Sequence, residues 1–249
     1  MEESPLHPFE LHNYIPINLF GLDISINKAV IMMWVVVGLV TFLLIRAATS
    51  RRMVPTKLQS LAELFVGFIR DMILDTMGKD GMKFFPFVAT LFIFILFCNL
   101  LGLIPGTYTV TSQIVVTAAF SIFVYTMSIV VGFVLHGVKF LGILVPPGTP
   151  GWLLPLMMPI ELVSQLARPL SLAVRLFANM TAGHTILGVL FGLTITGGLL
   201  IGWLPFVFTI AMNGLEVGIA FIQAYIFTIL TCVYLGDAFH LHGAEGHAH

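Results

Sequence analysis

Charge is what this sequence has least of. Its 249 residues include 11 Lys and Arg and 12 Asp and Glu, together 9% of the chain, where a soluble globular domain carries roughly 25%. With 58% hydrophobic residues and a mean hydropathy of +1.03, most of the surface could not be hydrated, and a lipid bilayer has to be the solvent. A net charge of −1 removes the electrostatic case for a nucleic-acid partner. Cysteine is also scarce. Cys98 and Cys232 each sit inside a long apolar run without metal-ligand spacing, so they read as small buried hydrophobes and no metal or cofactor is expected. The opening Met1-Glu2-Glu3-Ser4-Pro5 is acidic and polar rather than basic and apolar, so no cleavable signal peptide is expected.

What is abundant is apolar sequence in long blocks. A span of hydrocarbon needs roughly 20 such residues. Runs of that kind cover Ala29 to Ile45, Phe84 to Ile104, Ile114 to Leu135, Trp152 to Leu200 and Trp203 to Leu235. Between the first two lies a different segment. From Leu58 to Met77 the residues Leu61, Leu64, Phe65, Phe68, Ile69, Met72 and Ile73 recur at helical spacing, with Glu63, Arg70, Asp71 and Asp75 on the other faces. That pattern predicts an amphipathic helix along the membrane interface, opened by a Thr56–Gln59 capping box. The fold class is therefore all-α integral membrane, with about five spanning helices and one interfacial helix.

Lys and Arg are unevenly shared among the loops. The segment after the first span holds Arg46, Arg51, Arg52, Lys57, Arg70, Lys79 and Lys83, whereas Pro105 to Gln113 and Gly197 to Pro205 hold none. The positive-inside rule then puts the N-terminus outside and the C-terminus inside; Lys28 alone disagrees. The expected organisation is an outer N-terminal segment at 1–28, a first transmembrane helix at 29–46 and an amphipathic helix at 56–78. A transmembrane hairpin at 84–136, a long hairpin at 152–236 and a His-rich tail at 237–249 complete it. The tail carries His240, His242, His247 and His249 and reads as solvated.

The last two runs are too long for simple spans. At 1.5 Å per residue the stretch from Pro159 to about Leu199 would measure roughly 60 Å as one helix, against about 30 Å of hydrocarbon. Either it breaks, as at Pro169, or it lies strongly oblique. A pair of steeply tilted helices wrapped against a curved partner is the expectation.

The same two runs hold nearly all the intramembrane polar residues. They are Glu161, Gln165, Arg168, Arg175, Asn179 and His184 in one, and Asn213, Glu216, Gln223 and Tyr234 in the other. Such residues cost several kcal/mol each and mark function unless they are otherwise accounted for. Glu161, Arg168 and Arg175 are seven apart, as are Glu216 and Gln223, with Tyr234 eleven further on, so each set drifts only about 20° per step on a helix. Bland readings stand beside the functional ones. Arg168 could snorkel to the headgroups, His184 could make a plain interhelical hydrogen bond, and Asn179, Gln223 and Tyr234 could be helix–helix glue.

Taken together the set suggests proton movement. Histidine titrates near neutrality and exchanges protons with a nearby carboxylate, so His184 and Glu216 on adjacent helices would form a relay in the outer half. Glu161 would serve the inner half. Arg175 stands between them, permanently charged and unable to relay a proton. Two half-paths with a positive barrier need a moving partner that carries protonatable carboxylates past Arg175.

Leu170 to His184, reading LSLAVRLFANMTAGH, strongly resembles the signature of subunit a of F-type ATP synthases. So does PIELVSQLARP upstream paired with LEVGIAFIQAYIFTILTCVYL near the C-terminus, and, more weakly, FCNLLGLIPG and HGVKFLGILVPPGTP. The resemblance implies a stator subunit of a rotary ATP synthase that couples proton flow to rotation and is not an enzyme by itself. Its partners would be the c-ring, peripheral-stalk subunit b, the rest of the complex and the bilayer. Arg175 would face the rotor carboxylates, and His184 and Glu216 would be the polar positions of the outer half-channel. Asn179, Gln223 and Tyr234 would line the path, and Glu161 would belong to the inner half-channel. Asn99 also matches a family position, but where some relatives have an acid three residues later this chain has Gly102, so no channel chemistry is assigned there. The rival reading is a stand-alone proton-coupled secondary transporter, although no internal repeat of the kind transporters carry is visible. A bacterial inner membrane is favoured over a mitochondrial one by the long polar N-terminal segment and the His-rich tail.

Overall fold

The computed structural model describes residues 13–15, 18–19, 22–23, 26–49, 56–104, 110–137, 140, 142 and 153–239. The His-rich tail from His240 onward lies outside them, as do the first twelve residues and most of the 136–150 motif. Before the first span come two short antiparallel ladders, β1 (Asn13–Ile15) with β4 (Ile26–Asn27) and β2 (Asn18–Leu19) with β3 (Leu22–Asp23). The rest of the described chain is helical. It comprises α1 (Lys28–Thr49), α2 (Lys57–Met77), α3 (Phe85–Gly102), α4 (Ile114–His136), α5 (Leu154–Thr196), the one-turn α6 (Gly198–Ile201) and α7 (Trp203–Phe239). Five of these helices are long and apolar enough to cross a membrane. The chain is an all-α multi-pass membrane protein.

Helix ends follow local chemistry. Thr56 caps α2 by accepting from the Gln59 backbone N–H at 3.4 Å. The reciprocal half of the expected capping box is not made, because the Gln59 side chain donates instead to Glu63, one turn on, at 2.9 Å. α2 ends at Gly78, whose φ of +70° suits glycine, and a 3-10 segment (Lys79–Phe84) leads into α3. The apolar set expected along α2 divides in two. Ile69, Met72 and Ile73 are buried against the bundle, whereas Leu61, Leu64 and Phe68 stay exposed.

α5 runs unbroken for 43 residues through both Pro159 and Pro169, about 65 Å of helix. A helix-interior proline removes one backbone hydrogen bond, and membrane helices tolerate this where neighbours compensate. Pro169 is buried among neighbouring helices. The break comes instead at the glycines. A Cβ at Gly202 would run into the carbonyl of Thr194, and Gly198 adopts φ +56°, so the chain turns here at α6. α7 then runs for 37 residues, about 55 Å. It continues three residues past the boundary expected at 236, so Asp237, Ala238 and Phe239 belong to the helix rather than to the tail.

The core lies where α2, α3, α4, α5 and α7 converge. Ile69, Ile73, Leu96, Val124, Leu172, Leu176, Phe227 and Leu235 form one buried cluster there. α1 stands at the edge, held through Val36 against Cys98 and Val110, with Trp34 turned outward. Both cysteines are buried and unpaired. Without a hydrophobic drive between helices in lipid, close approach depends on small residues. α4 buries Thr117, Ser121, Ser128 and Gly132, and Gly236 of α7 lies against α2, where an added Cβ would sit 3.2 Å from the Thr76 carbonyl oxygen. Gly236→Leu should therefore push α2 off α7 and lower the thermal stability of the detergent-solubilised protein by about 1–3 kcal/mol. Gly38→Leu, at a position with open space around it, should leave the melting temperature unchanged. Equal behaviour of the two variants would refute the close-packing account.

Candidate functional site

The polar residues of the last two runs meet along one antiparallel helix pair. α5 and α7 lie side by side, and their polar side chains fall into three levels joined by cross-contacts between the two.

At the first level, near the start of α5 and the end of α7, the Nη1 atom of Arg168 donates to Asp237 Oδ2 at 3.0 Å. The same guanidinium lies 5.7 Å from the centroid of the Tyr234 ring, within cation–π range. This ion pair answers the question of whether Arg168 merely snorkels: it is tied to the neighbouring helix. One turn back, Gln165 Nε2 donates to Glu161 Oε1 at 2.9 Å. A cavity of about 150 Å³ opens beside these groups, lined by Tyr125 and Ser128 of α4, Gln165 and Arg168 of α5, and Tyr234 and Asp237 of α7. His136, at the end of α4, donates from Nε2 to the Ala238 carbonyl at 2.8 Å. That bond fastens α4 to the end of α7 and gives the histidine a structural role that its sequence context did not reveal.

At the second level Asn179 Nδ2 donates to Gln223 Oε1 at 3.0 Å, which joins the helices at their mid-length. Gln223 is buried and Asn179 reaches the surface. Arg175, one turn before Asn179, is exposed and among the described residues has no carboxylate partner. Ala167, Ser171, Ala178 and Ala182 flank it on the same helical face, all exposed. On α7, Gly214 and Gly218 are likewise exposed, with open space beside them. The result is an arginine in a strip of small side chains, where another helix could approach closely.

At the third level Gly183 of α5 meets Glu216 of α7. A Cβ at Gly183 would fall on the Glu216 carboxylate, so glycine makes room for that group. Glu216 is only 5% exposed, and neither carboxylate oxygen has a hydrogen-bond partner among the described residues. His184 stands one residue along the helix from this contact, without a direct hydrogen bond to Glu216. The Thr181 hydroxyl, Gln223 Nε2 and both amide atoms of Asn99 on α3 are also buried without protein partners. Native interiors leave few such groups; Asn27 Oδ1, Gln59 Oε1 and Thr111 Oγ1 join them elsewhere among the described residues.

Thr209, seven residues before Glu216 on α7, spends its hydroxyl on the Pro205 carbonyl of its own helix at 2.9 Å. Three features of the helix pair escaped the sequence reading: Asp237, Gly183 as the complement of Glu216, and the small-residue strip around Arg175. The strip was visible as Ala and Ser at three- and four-residue spacing about Arg175. Asp237 was set aside with the tail.

Comparison with known proteins identifies the family. The family model described as ATP synthase A chain matches residues 30–236. ATP synthase subunit a of Magnetococcus marinus is 50% identical over 247 residues, covering 96% of this chain and 94% of the relative. Subunit a of Rhizobium johnstonii is 47% identical over 246 residues, covering 96% and 98%. That of Pelagibacter ubique is 44% identical over 245 residues, covering 97% and 100%. With a match of this extent, and with polar residues arranged in levels along two long apolar helices, the chain belongs to the ATP synthase A chain family.

Proposed function

We propose that this protein is the proton-conducting stator subunit in the membrane sector of an F-type ATP synthase, with Arg175 as the barrier between two offset half-channels. Membership of the family sets the stand-alone transporter aside. The observation that carries the reading is Arg175, exposed and without a carboxylate partner among the described residues, lying between the Arg168–Asp237 and Gly183–Glu216 levels of one helix pair.

In the outer half-path, Glu216 exchanges protons with water reaching it past His184, and Gly183 holds space for its carboxylate. In the inner half-path the cavity beside Gln165, Tyr234 and Asp237 leads protons away, with Glu161 at its mouth. The partner that faces Arg175 is a ring of c subunits. Each carries a carboxylate through the small-residue strip, where the guanidinium attracts the ionised form. A proton must leave that carboxylate on one side of Arg175 and be replaced on the other, so flow requires rotation. Asn179 and Gln223 line the passage and hold the helices in register. α5 and α7, at about twice the hydrocarbon thickness, lie steeply oblique along the ring. Peripheral-stalk subunit b completes the stator. The bacterial relatives and the basic connection after α1 support a bacterial inner membrane, with the N-terminus outside and the C-terminus inside.

Membrane vesicles containing the assembled complex test the central claim. Arg175→Ala should abolish ATP-driven acidification while assembly is retained, and should raise passive proton leak once the catalytic head is removed. Arg175→Lys should also impair pumping but leak less, since it keeps the charge without the planar fork. Pumping near the wild-type rate in Arg175→Ala would sink the mechanism.

A second test addresses Glu216. Gly183→Ala should displace its carboxylate and cut proton flux by up to roughly 100-fold, the cost of a 1 Å misplacement at a reacting group. Gly188→Ala, with nothing within 4 Å, should conduct normally. If both variants conduct alike, Glu216 is not held in place by the Gly183 contact.

A further inference from the structure

The cavity of about 150 Å³ between α4, α5 and α7 holds an ion pair. Arg168 Nη1 and Asp237 Oδ2 lie 3.0 Å apart, with side chains 33% and 42% exposed, so the pair stands partly open to the cavity. Around it are Tyr125 and Ser128 of α4, Gln165 of α5 and Tyr234 of α7. Glu161, one turn before Gln165, accepts from the Gln165 amide at 2.9 Å, and His136 is bonded to the Ala238 carbonyl. Asp237 is the one carboxylate paired with Arg168 among the described residues.

A fixed guanidinium is an obstacle in such a place. It stays charged at any working pH, and in a confined site it repels an excess proton far more strongly than in bulk water. That property is what the function proposed above asks of Arg175. Arg168 carries the same group seven residues away on α5, about 10 Å along the helix and within about 20° of the same face. Left bare, it would be a second positive barrier, standing inside the inner half-path.

We propose that Asp237 keeps the inner half-path open to protons by cancelling the charge of Arg168, an inference that rests on the stator reading above. Asp237 is then a positioning residue that acts through Arg168 and does not itself carry the transported proton. A structural tie alone does not call for a carboxylate here. Asn179 and Gln223 join the same two helices at 3.0 Å with neutral amides, which avoids the desolvation cost of two charges. His136 already fastens the end of α7 to α4. Arg168 has a packing role of its own, since its guanidinium covers the Tyr234 ring at 5.7 Å. The carboxylate makes that cation compatible with a proton path.

The test uses membrane vesicles containing the assembled complex. Assembly is scored by co-purification of the ring, and proton flux is measured after the catalytic head is removed. Asp237→Asn should cut flux by about tenfold. Arg168→Gln breaks the same 3.0 Å bond but should cut flux by less than about twofold, and the double variant should match it. Ser128→Asp in the Asp237→Asn background places a carboxylate in the cavity from α4, and should restore flux without restoring the bond between α5 and α7. Equal losses in Asp237→Asn and Arg168→Gln would make the pair a mere tie and overturn the proposal. So would a double variant that assembles but conducts about tenfold less than Arg168→Gln, since Asp237 would then be needed where there is no charge to cancel. That comparison stands even if Asp237→Asn alone fails to assemble. Arg175→Ala in the same vesicles separates the two claims. Pumping near wild type there rejects the stator reading itself, whereas normal flux in Asp237→Asn beside a defective Arg175→Ala rejects only the role of Asp237.

Discussion

Hydrocarbon offers no hydrogen-bond partners, so each polar group at membrane depth has to find one inside the protein or in penetrating water. That constraint organises the α5–α7 pair. The Arg168–Asp237 bond at one end and the Asn179–Gln223 bond at mid-length link the helices. One turn beyond on α5 the contact is steric, with Gly183 opening space for Glu216. Each link fixes the same antiparallel register, and a slip by one residue on either helix would rotate its polar stripe by about 100° toward lipid. The polar residues thus act twice, as chemistry and as the specification of how two featureless apolar rods align.

Small residues set the distances. Gly236 admits α2, Gly132 admits the Phe140 ring, and Gly183 admits a carboxylate. Gly214 and Gly218, with nothing beside them, belong to a surface rather than to the interior. Exposure of Ala167, Ser171, Ala178 and Ala182 on the Arg175 face extends that surface across both helices. A membrane protein that merely faces lipid has no need of such a strip, because bulky apolar side chains meet acyl chains equally well. Its presence around a charged residue is what calls for a partner helix there.

Much of this was legible in the sequence, and the misses have physical causes. Five spans and an amphipathic segment follow from hydropathy blocks alone, because in lipid the length and polarity of a segment nearly decide its structure. Whether α5 breaks at Pro169 could not be read, since continuity depends on neighbours that shelter the proline. Asp237 was assigned to the tail because a charge after an apolar run marks a span end by default. Its partner Arg168 lies 69 positions away, and no local pattern announces it. His136 was opaque for the same reason, since its acceptor is a backbone carbonyl 102 positions distant. Sequence can place His184 and Glu216 on adjacent helices, but which side chains touch depends on the facing of the helices, and here it is Gly183 that faces the acid.

The two arginines of α5 sharpen what the site asks of each. They are chemically identical, seven residues apart and on nearly the same face. Arg168 is anchored by Asp237 and covers Tyr234, so its charge is already compensated and a second carboxylate would gain little by approaching it. Arg175 has no such anchor among the described residues and stands on an open face. Coulomb attraction between unit charges at 4 Å grows from about 1 kcal/mol in water to about 4 kcal/mol at a partly screened protein surface. On the function proposed above, an uncompensated guanidinium in such a strip would be where a mobile carboxylate is held most firmly in its ionised form. The ion pair at Arg168 and the lack of one at Arg175 are then two parts of one arrangement. The first fixes the helices so that the second presents its charge at a constant position to whatever passes.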